Sequence, residues 1–164
     1  MTEFQRRQLD ERGYVVLEGF MGPSLLAELR SRVDQIYQQE GERAGAEFKQ
    51  EPQTRRLANL VDKGEVFRRI IAMPEILEYA VHVLGPEVKL SSLNGRSADP
   101  HSDWVQPLHA DAGAVADEKG YWVFNTVWLL DASEIVEQPD GVEHPVAFLV
   151  GDSAGVGVEG LDPI

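Results

Sequence analysis

The chain has 164 residues, a net charge of −13 and no cysteine. That length favours one domain spanning 1–164 with a real core, and the lack of thiols excludes disulfides, thiolate nucleophiles and Cys–zinc sites. The acidic balance argues against nucleic acid, and no apolar run approaches the ~20 residues that span a bilayer, so a cytoplasmic globular protein without nucleic-acid or membrane partners is expected.

Phe4 to Arg12 reads as a short helix stopped by Gly13, and "YVVLEGF" (Tyr14 to Phe20) as a strand. Gly22-Pro23 opens a second helix, since proline suits a first helical turn. Leu25, Leu26, Leu29, Val33, Ile36 and Tyr37 give it one apolar face through about Gln39. "QEGERAGAEFKQEPQTRR" is polar and reads as a loop, which would leave Arg55 and Arg56 a solvated pair or a contact for an anionic substrate. "EVFRRIIAM" reads as a short helix. Pro74 starts another, with Ile76, Leu77, Ala80, Val81 and Leu84 inward, and Gly85-Pro86 ends it.

The texture then changes. "EVKLSSLN" (Glu87 to Asn94) reads as a strand, "GRSADPHSD" as turns, and "QPLHAD" as a short extended piece. "YWVFNTVWLLD" (Tyr121 to Asp131) is apolar on both faces and reads as a buried strand, with Trp122, Phe124, Trp128 and Leu130 in the core. "HPVAFLVG" reads as one more strand. Helices first and strands later define an α+β class with a sheet sandwich or barrel.

His109 and Asp111 stand either side of Ala110. In a strand, residues i and i+2 point the same way, roughly 6–7 Å apart. Imidazole and carboxylate at that spacing can share one cation, and they are two parts of the 2-His-1-carboxylate triad that holds non-haem Fe(II) with open positions. The same spacing occurs at His101 and Asp103, but "DPHSD" is flanked by turn residues that favour a loop role. His82 lies on a helix and reads as structural.

The stretch from Leu93 to Asp131, "LNGRSADPHSDWVQPLHADAGAVADEKGYWVFNTVWLLD", resembles the phytanoyl-CoA dioxygenase family of Fe(II)- and 2-oxoglutarate-dependent oxygenases. The opening "LDERGYVVLEGFMGPSLLAELRSRVDQI" resembles that family too, and the likeness runs over roughly residues 5–131. It implies a jelly-roll (double-stranded β-helix, cupin-like) core with N-terminal helices outside, and Fe(II) bound by His109 and Asp111. It also implies that 2-oxoglutarate is the co-substrate and a small molecule is hydroxylated. Trp128 matches an aromatic position lining the co-substrate pocket, and Asn94 a position offering that co-substrate a polar contact.

The family pattern also carries a distal His and, beyond it, an Arg that grips the far carboxylate of 2-oxoglutarate with two hydrogen bonds. Here one His, His144, follows Asp111, and no Lys or Arg follows Lys119. Roughly five strand candidates fall short of an eight-stranded jelly roll, so the expected core is incomplete and the family member truncated or altered. Little turnover is expected of the chain by itself unless Arg96 or Lys89 takes over the anchor. Two other readings stand beside the oxygenase. One is a catalytically dead fragment that serves as a binding or self-association module through unpaired sheet edges. The other is a cupin-like protein in which His109, Asp111 and His144 bind a metal without 2-oxoglutarate.

Overall fold

Thr2 starts helix α1 (Glu3–Arg12) through a reciprocal cap: its Oγ1 accepts from the Gln5 amide, and the Gln5 carboxamide oxygen accepts from the Thr2 amide. Gly13 ends the helix in the left-handed region, at φ +76°, where a glycine costs least. These elements belong to a computed structural model that describes residues 1–51, 53–98, 120–130 and 146–150. Strand β1 (Tyr14–Glu18) follows, then α2 (Pro23–Glu40) with proline in its first turn, and a short 3-10 turn at Gly41–Arg43. Strand β2 (Thr54–Leu57), α3 (Glu65–Ile71) and α4 (Pro74–Leu84) come next, before strands β3 (Gly95–Ala98), β4 (Asn125–Trp128) and β5 (Val146–Val150).

The described strands form two antiparallel sheets. In one, β5 is central, pairing Phe148 with Val16 of β1 on one side and with Val127 of β4 on the other. The other is the β2–β3 ribbon, with Arg56 opposite Arg96 and Leu57 opposite Gly95. Two apolar clusters lie between sheets and helices. Leu29, Ile36, Leu57, Leu60, Phe67 and Ile70 join α2 and α3 to the ribbon. Leu9, Val15, Leu17, Ile76, Tyr79 and Phe124 join α1 and α4 to the three-stranded sheet. Phe20, Met73 and Trp128 touch both clusters.

Several expectations need correction. The stretch Glu87 to Asn94 is not a strand. The strand is Gly95–Ala98, because its partner β2 lies inside what reads as a polar loop. Helix α4 buries Ile76, Tyr79 and Ala80, while Leu77 and Val81 are exposed. Only one face of this helix meets the core, and Tyr79, three residues after Ile76 and one before Ala80, centres it there. Regular pairing in the apolar run from Tyr121 covers Asn125–Trp128 alone. Phe124 is buried as expected, Trp128 and Leu130 are half-buried, and Tyr121 and Trp122 are exposed, since among these residues ahead of the ladder Phe124 is the one in the cluster with α1 and α4. Asp131 lies outside the described residues.

Candidate functional site

Arg55 and Arg56 sit on adjacent positions of β2 and so project to opposite faces. Arg55 stacks on the Tyr37 ring, 3.9 Å from guanidinium carbon to ring centroid, and its carbonyl accepts from the Tyr37 hydroxyl at 3.1 Å. Burial raises the Tyr37 phenol above its ordinary value, against the pull of Arg55. Arg56 faces the other way, beside Arg96, and both side chains are largely buried. Two like charges directly opposed across a ladder repel. Glu51 answers that repulsion. Its Oε2 accepts from Arg56 Nε at 2.9 Å and lies 3.5 Å from Arg96 Nε, while Oε1 lies 2.7 Å from Lys49 Nζ. The hydrogen bonds from Arg56 and Lys49 hold the Glu51 carboxyl down at about 2.

The loop that brings Glu51 here depends on Gly45. At φ +79° it takes a backbone form that side chains resist, and a Cβ would fall 2.5 Å from the Cβ of Arg56. Behind the ribbon, Lys63 lies 2.6 Å from Glu40 and 3.0 Å from Glu47. Burial pushes the Lys63 ammonium down, but the two carboxylates outweigh it and the net shift is upward. The hydrogen bonds from Lys63 and Asn59 lower Glu47.

Asn94 stands just before β3. Its Oδ1 accepts from the Asn59 amide at 3.2 Å and its Nδ2 donates to Ser92 Oγ at 3.3 Å. Asn59 has φ +52°, so Asn94 braces the left-handed turn after β2. Trp128 packs its ring against Phe20 with centroids 5.8 Å apart. Its indole Nε1 is buried, and among the described residues no hydrogen-bond partner reaches it. A buried indole N–H usually finds an acceptor, and leaving it without one costs about 1–3 kcal/mol. The hydroxyl of Thr54, which shares a strand face with Arg56, is likewise buried with no partner among the described residues. Arg30 Nε, on α2, donates to the Leu130 carbonyl at 2.5 Å and fixes the chain just past Trp128.

His109, Asp111, His101, Asp103 and His144 lie outside the described residues. Among the described residues no group of three or more His, Cys, Asp or Glu could hold a metal. His82 lies 2.6 Å from Asp10 and ties α4 to α1. Sequence reasoning missed Glu51 and Thr54. The stretch Thr-Arg-Arg-Leu, with a single large apolar residue, carries no alternation that would mark the strand that organises them. Among the described residues no helix is long and apolar enough to cross a membrane.

The described residues thus form helices packed against two antiparallel sheets, with buried donors at Trp128 and Thr54 that no described residue satisfies. The chain shares its fold with HygX from Streptomyces hygroscopicus solved with nickel and 2-oxoglutarate, at TM-score 0.62 and 16% identity over 93% of this chain and 78% of that one. It also matches HygX solved with nickel, 2-oxoglutarate and hygromycin B, at TM-score 0.56 and 14% identity over the same shares. No curated protein matches. The family model for phytanoyl-CoA dioxygenase (PhyH) matches residues 9–132, and the chain belongs to that family.

Proposed function

We propose that the chain is a single-domain Fe(II)- and 2-oxoglutarate-dependent dioxygenase that hydroxylates a small organic molecule in the cytoplasm. The observation that carries this reading is the buried, unpartnered indole N–H of Trp128, in a family whose structural neighbours hold 2-oxoglutarate. That donor suits an oxygen of a dicarboxylate co-substrate, and the Thr54 hydroxyl and the Arg56 guanidinium share one face of β2. His109 and Asp111 would hold the metal, since imidazole and carboxylate are the donor types that Fe(II) takes in such enzymes. Trp128 would line the co-substrate pocket. Asn94 would reach the co-substrate with the hydrogen-bonding capacity that Asn59 and Ser92 leave unused.

When bound, ferrous ion and 2-oxoglutarate reduce O₂ with decarboxylation of the oxo acid to succinate and CO₂, and so supply the oxidant for hydroxylating a C–H bond. The chain's own part is to bind and orient. For the distal carboxylate of 2-oxoglutarate the reading assigns Arg56. Its Nε is taken by Glu51, and among the described residues no other carboxylate pairs with Arg56. A small-molecule substrate accords with the HygX complex that holds hygromycin B.

The test supplies purified protein with Fe(II), ascorbate and 2-oxoglutarate under air and measures succinate. With Arg56, rather than Arg96 or Lys89, standing in for the absent C-terminal anchor, succinate above the free-iron background, lost in Asp111→Ala and kept in Asp103→Ala, is expected. Mn(II) binding should follow the same pattern. Equal loss in both variants would show that the wrong His-x-Asp pair was assigned, and no succinate from the unaltered chain would overturn the activity.

A further inference from the structure

We infer that Glu51 is a positioning residue: its carboxylate holds the paired arginines of the β2–β3 ribbon so that the terminal edge of Arg56 is presented to an incoming carboxylate. This rests on the oxygenase reading above and goes beyond it, to how the anchor is aimed.

The register places Arg56 and Arg96 directly opposite each other, and their side chains are only 13% and 16% exposed. Guanidinium groups so enclosed need a counter-charge nearby. Glu51 supplies it from a loop that meets the strand at Thr54, through an isolated bridge between these two residues. A guanidinium is a rigid plane with five donors. Occupying Nε of Arg56 fixes that plane and leaves the edge made by Nη1 and Nη2, which matches a second carboxylate with two parallel hydrogen bonds. Thr54 sits two residues earlier on the same strand face, with its buried hydroxyl unpartnered. Glu51 keeps its charge because its carboxyl is held low by the cations it serves. Glu51 itself never touches the ligand in this scheme; it acts through Arg56.

The experiment measures binding of 2-oxoglutarate and of pyruvate to the Mn(II)-loaded protein. Pyruvate shares the 2-oxo acid end and lacks the distal carboxylate, so the ratio of the two affinities reads the anchor alone. Arg56→Ala should weaken 2-oxoglutarate about ten- to a hundredfold and leave pyruvate unchanged. Glu51→Gln should weaken 2-oxoglutarate about tenfold with pyruvate again unchanged, and Glu51→Asp should recover part of the loss. If Glu51→Gln moves both acids together, or neither, Glu51 is only structural and the inference is overturned. A second arm needs no ligand. The Arg56 Nε proton, followed by ¹⁵N NMR, should exchange slowly in the unaltered chain and in Glu51→Asp, and fast in Glu51→Gln. Fast exchange in the unaltered chain overturns the inference whatever binds. An unaltered chain that binds neither acid overturns the oxygenase reading itself, whereas an unchanged ratio in Arg56→Ala overturns only the anchor.

Discussion

Replacing Ile76 and Leu77 by alanine, one at a time, probes the helix whose inward face differs from its apolar pattern. The two residues are adjacent on α4 and similar in size. Ile76 is 3% exposed, within the cluster of Leu9, Val15, Leu17 and Phe124, whereas Leu77 is 39% exposed. Removing a buried Ile side chain costs about 2–5 kcal/mol, part of it for the cavity left behind. Leu77 gives up only partial burial and leaves no enclosed cavity, so about 1 kcal/mol is expected. For a chain of this size each kcal/mol shifts the melting midpoint by roughly 2–4 °C. Ile76→Ala should therefore melt roughly 4–20 °C lower and Leu77→Ala roughly 2–4 °C lower. Circular dichroism at 222 nm during a thermal ramp, with urea titration to check the free energies, separates the two. Equal losses, or a larger loss for Leu77, would refute the assignment of the buried face.

Phe124→Ala should cost about 3–5 kcal/mol, because Phe124 is 5% exposed between α1, α4 and the sheet; an unchanged urea midpoint would contradict that. Glu51 is held at about 2 against an ordinary value of 4.5. A depressed carboxyl stabilises the folded state above its unfolded pKa, and this contribution, at most about 3 kcal/mol, drains away as pH falls from 4.5 towards 2. Glu51→Gln should be less stable near neutrality and lose less over that acid window, as urea titrations at stepped pH will read. Gly45→Ala should cost more than about 1 kcal/mol, since its φ is +79° and the new Cβ meets Arg56; a variant as stable as the parent would exclude that clash.

The helices were legible because they carry their own punctuation. Pro23 and Pro74 open two of them and Gly13 closes another, and the apolar spacing of α2 marks Leu29, Ile36 and Tyr37, which are indeed buried. β1, β4 and β5 were legible as apolar runs, though the run at Tyr121 begins before the pairing does. β2 was not, because its strand character comes from pairing with β3 and from Glu51 holding the arginines. No local signal shows that a carboxylate will be folded back over two cations. The overlong strand at Glu87 fails for the converse reason: a stretch with strand propensity has no partner among the described strands. Of the candidate site, Trp128 could be singled out by likeness to the family. Its orphaned N–H is a property of packing and appears only in three dimensions.

The central place of β5 has a consequence for how the protein is born. Val16 of β1 waits for Phe148, which is 132 residues further along the chain (148 less 16). At a ribosomal pace of about 5–20 residues per second, that is a delay of roughly 7–26 s between the two strands. Throughout it, β1 has helix α1 beside it but no neighbour in its sheet. Val127 and Phe148 are only 21 residues apart (148 less 127), so β4 and β5 meet first and dock on β1 as a pair. The sheet closes only after β5 has emerged, and until then the nascent chain offers an open strand edge to any chaperone, or any misfolded neighbour.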